Sequence, residues 1–117
     1  MTRFSAYLRD VREGLRKKDR RYSLRQVALR IGVEPAYLSK IERGVVAPPS
    51  EATTMRLAGE LGENPDVLLA MAGKVSSELQ EVIRRRPELF AELIRELRDA
   101  PDNAVLRIVR EVRDGNW

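Results

Sequence analysis

The sequence predicts an all-α fold, with five helices in residues 1–73 and two or three amphipathic helices in residues 74–117. Three observations carry that prediction. Apolar residues recur three and four positions apart along the chain, the period of one helix face. Glycine and proline fall where those periodic stretches stop and restart. No segment alternates apolar and polar residues as a half-buried strand does. A chain of 117 residues has room for one compact domain, or for a small domain with an appendage.

Taken in order, Phe4, Leu8, Val11 and Leu15 set a first helix over 3–17. The basic run Arg16-Lys17-Lys18-Asp19-Arg20-Arg21 interrupts it. Ser23 is placed to cap a second helix with Leu24, Val27, Ala28 and Ile31 on one stripe, and Gly32 ends that helix. Pro35 suits the first position of a third helix, whose Leu38 and Ile41 face inward, and Gly44 supplies its left-handed stop. Val45 to Pro49 form a linker. Ser50 then caps a fourth helix with Met55, Leu57, Ala58 and Leu61 on its apolar side, stopped by Gly62. Asn64-Pro65-Asp66 restarts the chain with a cap, a proline in the first turn and an acid at the positive end of the helix dipole. A fifth helix carries Leu68, Leu69 and Met71 up to Gly73.

Composition removes several function classes. Cysteine and histidine are both absent, so disulfides, thiolate chemistry, the usual zinc ligands and the commonest general base are absent too. The chain offers no Gly-rich phosphate loop, no metal-ligand cluster and no nucleophile–base pair, so we expect no enzyme activity and no cofactor. No run approaches the ~18 apolar residues of a membrane span, and the N-terminus has no charged-then-apolar leader pattern; the expected compartment is the cytoplasm, without membrane partners.

Charge is unevenly spread. Residues 1–30 hold ten Lys/Arg against three Asp/Glu, whereas residues 31–73 hold three against six and residues 74–117 nine of each. A basic front block suggests a polyanion partner for that part of the chain, although a solvated charged helix face produces the same count.

The spacing within residues 22–44 is more specific. Two helices can cross steeply over a short turn only if the first offers a small residue at the crossing and the turn tolerates positive φ; Ala28 and Gly32 meet these needs. Counting Leu24 as the first position, the inward residues Val27, Ala28, Ile31, Val33, Leu38 and Ile41 fall at 4, 5, 8, 10, 15 and 18, with the glycine at 9. That is the pattern of a helix-turn-helix, whose second helix enters the DNA major groove.

These residues carry a resemblance. Ser23-Leu24-Arg25-Gln26-Val27-Ala28, Ile31-Gly32-Val33 and Tyr37-Leu38-Ser39-Lys40-Ile41-Glu42-Arg43-Gly44 resemble the Cro/phage-repressor (XRE) type of helix-turn-helix domain. Pro49-Ser50, Leu57-Ala58, Leu61-Gly62, Asn64-Pro65-Asp66 and Leu68-Leu69 resemble that domain's fourth and fifth helices, so the likeness covers about residues 3–73. It implies a five-helix domain that binds double-stranded operator DNA, usually as a dimer. By the same resemblance Pro35, Ala36, Ser39 and Lys40 face the bases, with Lys40 a donor to guanine and Pro35 and Ala36 restricted to apolar contact. Ser23, Arg25, Tyr37 and Arg43 are implied for phosphates. Two positions depart from the family, which often has Ser or Thr at 34 and a polar residue at 35: Glu34 is a poor cap that faces phosphate, and Pro35 gives up a polar reader. Glu42 is expected to pair with an arginine of the first two helices.

The last third lies outside the resemblance. Val75, Leu79, Val82 and Ile83 precede Pro87; Leu89, Phe90, Leu93, Ile94 and Leu97 follow it; and Val105, Leu106, Ile108, Val109 and Val112 follow Pro101. Each group keeps helical spacing, and 44 residues are too few for a well-buried core. Three arrangements fit: packing on the front domain, pairing with a second copy, or binding another protein. Homodimerisation is the leading one, because a single half-site reader binds weakly and a dimer sets two recognition helices one DNA turn apart on a two-fold operator. Its interface is expected at Leu89, Phe90, Leu93, Ile94, Leu97, Val105, Ile108, Val109 and Val112. Trp117 is either part of that interface or a loose terminus. The leading function is thus a dimeric transcription regulator, a repressor. The alternative is an antitoxin-like interaction protein whose C-terminal helices hold a partner while the front domain autoregulates.

Overall fold

A computed structural model of the chain describes residues 3–115 and divides it into two compact units, Met1–Ser76 and Ser77–Trp117. Trp117 lies outside the described residues. The described residues form eight α-helices: α1 (Arg3–Arg16), α2 (Leu24–Ile31), α3 (Pro35–Arg43), α4 (Glu51–Leu61), α5 (Pro65–Met71), α6 (Ser77–Arg85), α7 (Pro87–Leu97) and α8 (Asp102–Asp114). None is long and apolar enough to cross a membrane.

The caps sit where the residue chemistry puts them. Ser23, Ser50 and Asn64 each accept a backbone N–H of the helix they precede, at 3.2, 3.2 and 2.9 Å. Glu34 makes no side-chain cap bond, and Pro35 opens α3 instead. At Gly32 the backbone turns left-handed (φ 74°), and the N–H groups of Gly32 and Val33 bond the carbonyls of Leu29 and Ala28. A Cβ on Gly32 would meet nothing within 4 Å, so backbone handedness alone, not crowding, calls for glycine there.

The first unit closes over one core made of Phe4 and Leu8 from α1, Val27, Ala28 and Ile31 from α2, and Leu38 and Ile41 from α3. Leu57, Ala58 and Leu61 from α4 and Leu68 from α5 complete it. Ala28 is fully buried at the crossing, as the steep turn requires. Long polar side chains tie the periphery: Arg56 donates to the Ile31 carbonyl at the end of α2, Tyr7 donates to Glu63 at 2.9 Å, and Lys74 reaches the Pro49 carbonyl.

Two local features differ from expectation. Residues Arg20–Tyr22 form a 3₁₀ turn, capped by Asp19, inside the basic run. In α4 the inward side is built by Thr53 and Thr54 with Leu57, Ala58 and Leu61, while Met55 is 46% exposed. Thr54 stands four residues before Ala58 and three before Leu57, on the same face; Met55 is turned away from that face by one residue's rotation. The Thr54 hydroxyl is buried without a hydrogen-bond partner. Thr54→Val keeps the shape and removes that orphan group, so it is expected to stabilise the unit by about 1 kcal/mol. A thermal melt shifted upward by roughly 4–8 °C would show this; a downward shift would mean the hydroxyl is bonded.

In the second unit α6 packs against α7, yet none of α6, α7 and α8 contains a buried residue.

Candidate nucleic-acid interface

α3 is fixed from its inner side. Leu38 and Ile41 are in the core, and Glu42 is buried against Arg12 of α1, with Nε–Oε2 at 2.6 Å and Nη2–Oε1 at 2.9 Å. Arg12 also donates to the Tyr22 carbonyl at 3.1 Å and to Glu13 at 2.8 Å, so α1, α3 and the 3₁₀ turn meet at one guanidinium. The Glu42 hydrogen bond, the largest influence, holds the Arg12 pKa above its ordinary value. The arginine expected to pair with Glu42 is therefore the one on α1.

With 38, 41 and 42 inward, helix geometry sends Ala36, Lys40 and Arg43 outward in one line. All three are exposed. Pro35 and Ser39 flank that line on one side and are half-buried; Tyr37 flanks it on the other and is exposed. Arg43 Nε donates to Ser39 Oγ at 3.3 Å, which leaves the serine its own O–H to offer. The structure thus brings Ala36, Ser39, Lys40 and Arg43 together and sets Tyr37 apart. Arg43, implied for a phosphate, stands in line with Lys40.

The start of α2 supplies a second group. Ser23 Oγ is occupied as an acceptor by the Gln26 N–H, so its hydroxyl hydrogen stays available. The first N–H groups of α2 have no carbonyl within the helix, and Arg25 and Gln26 are exposed beside them. Together they suit an anionic oxygen. The sequence reading did not include Gln26 among the contacts; its place three residues after the cap was the available signal. Glu34 is exposed between the two groups and opposes an anion there.

The second unit's expected interface residues are uncovered to different degrees. Leu89, Leu93, Ile94, Ile108, Val109 and Val112 are exposed, whereas Phe90, Leu97 and Val105 are half-buried. Among the described residues no group of acidic side chains is arranged to hold a metal ion.

A steep two-helix turn on a five-helix core, presenting a cation-bearing helix face outward, defines a helix-turn-helix module. Residues 14–68 match the family model described as Helix-turn-helix. The matched segment is a helix-turn-helix domain of the Cro/phage-repressor (XRE) type, the type found in DNA-binding transcription regulators. Searches among curated proteins and among solved structures return no match.

Proposed function

We propose that the chain is a sequence-specific repressor that binds a two-fold symmetric double-stranded operator as a homodimer, with α3 in the major groove. The observation that carries the reading is the outward line Ala36–Lys40–Arg43 on a helix whose opposite side is locked by Leu38, Ile41 and the Arg12–Glu42 pair. A rigid helix presenting donors can discriminate base edges, because the position of each donor is set before DNA arrives. Ser23, Arg25 and the open N–H groups of α2 then set the register on phosphate. A dimer seated on a promoter excludes polymerase, and repression is the direct consequence.

Homodimerisation is supported by the second unit. Three amphipathic helices without one buried side chain leave their apolar stripes only partly covered, with Leu89, Leu93, Ile94, Ile108, Val109 and Val112 exposed. A second copy covers those stripes with like stripes and supplies the second recognition helix that a two-fold operator needs. The same stripes support a second reading, an interaction protein with a different chain on α7 and α8; an unrelated protein in stoichiometric co-purification would favour it.

Selection of bound duplexes from a random pool, with sizing of the same sample, tests the main reading. One palindromic motif and a dimer are expected; enrichment of no motif would refute it. In that assay Lys40→Ala is expected to relax preference at one base step by about 1–3 kcal/mol. Arg25→Ala is expected to weaken binding to every duplex alike and to lower the slope of log K against log salt by about 1.8, one phosphate contact from each subunit. Arg43→Ala separates two roles, since a uniform loss marks a phosphate contact and a loss at one step marks a base contact.

A further inference from the structure

We propose that the basic bend between α1 and α2 is a second DNA-backbone contact, seated on phosphates flanking the segment that α3 reads. The proposal rests on the reading of the front unit as DNA-binding, and it adds Lys17, Lys18 and Arg20 to that surface.

Charge around the bend is unbalanced. Glu13 is taken by Arg12 and Arg16, at 2.8 and 3.4 Å. Asp19 is taken by Arg21, which donates to it through Nε at 3.0 Å and Nη2 at 2.7 Å and also through its backbone N–H. Arg21, the strongest partner, also holds the Asp19 carboxyl below its ordinary range. Lys17, Lys18 and Arg20 are all exposed and have no side-chain hydrogen bond or ion pair. Three uncompensated positive charges thus occur within four residues.

The 3₁₀ turn Arg20–Tyr22 runs straight into Ser23, the cap of α2. The three cations therefore stand at the same end of α2 as its open N–H groups, the end that favours an anion. The turn is also anchored: its Tyr22 carbonyl accepts from Arg12, and Arg12 holds Glu42 of α3. The bend and the recognition helix are thus attached to one buried side chain, so the cations keep a fixed relation to the base-reading line.

A small free anion needs donors that converge on a point. The nearby cavity is lined by Arg21, Tyr22, Arg30 and Glu60, and none of the three unpaired cations lines it. Charges strung along a bend suit an extended polyanion, whose condensed counterions are released when they bind. DNA continuing past the half-site is that polyanion.

The test uses the full chain and the selected duplex in two forms, one trimmed to the motif and one extended by a further turn of helix on each side. Binding is titrated from 50 to 200 mM salt for wild type, for Lys17→Gln/Lys18→Gln/Arg20→Gln, and for the charge-retaining Lys17→Arg/Lys18→Arg/Arg20→Lys. On the extended duplex the neutral variant, lacking three contacts in each of two subunits, is expected to lose about 5.4 from the log–log salt slope, so that wild type loses roughly 2,000-fold more affinity across that salt range than the variant does. On the trimmed duplex wild type and variant should agree within about twofold, and the charge-retaining variant should follow wild type on both. Equal slopes for wild type and the neutral variant on the extended duplex would overturn the bend contact alone. Equal losses on both duplexes would overturn its flanking position. Loss in the charge-retaining variant as well would show that folding, not phosphate contact, was at stake, and would overturn the proposal. Failure of wild type to bind any duplex would overturn the DNA-binding reading, and this proposal with it.

Discussion

Glu42→Ala is expected to lower the unfolding free energy by about 3–5 kcal/mol, because it leaves a buried charge without its partner. The carboxylate and the Arg12 guanidinium are 5% and 4% exposed, so solvent cannot replace either partner. Without Glu42, Arg12 keeps the Tyr22 carbonyl and the half-exposed Glu13, and a buried cation is left without its bidentate acceptor. Because the guanidinium remains charged at any accessible pH, it cannot escape by losing its proton. Arg12→Met/Glu42→Leu removes both charges together and is expected to return to within about 1 kcal/mol of wild type, since burying a matched pair costs nearly what the pair gains. Urea unfolding of the single and double variants measures this. A Glu42→Ala protein within error of wild type would show that the junction contributes nothing. Acid acts on the same place. Arg12, its strongest partner, holds the Glu13 carboxyl below its ordinary 4.5, so what that contact contributes is complete above that pH. It is lost as pH falls through the lowered value.

Helix existence and most boundaries were legible because each signal is local. Ser23 and Gly32 bracket α2, Pro35 and Gly44 bracket α3, and Asn64-Pro65 opens α5, each through a bond or a dihedral set within a few residues. What failed to read was set by longer-range geometry or by weaker periods. Thr54 faces the core, standing three and four residues before Leu57 and Ala58, and because it is polar the apolar period does not reveal it. The 3₁₀ turn at 20–22 is too short for any period to register. A partner for Glu42 was expected in the first two helices, but only packing across 30 residues of separation selects Arg12. The site divides the same way. Which residues of α3 face outward follows from the spacing of Leu38 and Ile41. The Ser39–Arg43 bond is an i, i+4 pair and so is local, but whether Arg43 turns to a base or a phosphate depends also on where the DNA lies, which the sequence does not encode.

Leu93→Glu/Ile94→Lys is expected to give a folded monomer whose operator affinity falls by about 10²–10⁴-fold. Leu93 and Ile94 are 38% and 59% exposed on α7, so neither belongs to a buried core of the monomer and charging them should leave the helices intact. The same change puts two ionised groups into the face that a second copy would cover, where desolvation without a partner is strongly unfavourable. The affinity loss follows from linkage. In a dimer the second half-site is bound from an effective concentration set by the first, and separating the subunits forfeits that gain without touching any DNA contact. A duplex carrying one half-site should therefore bind wild type and variant alike, while the complete operator separates them. Sedimentation of both proteins supplies the decisive control. A variant that sediments as a dimer would place the interface elsewhere in the chain. A monomeric variant that kept full operator affinity would mean that α7 joins two copies for some purpose other than reading DNA.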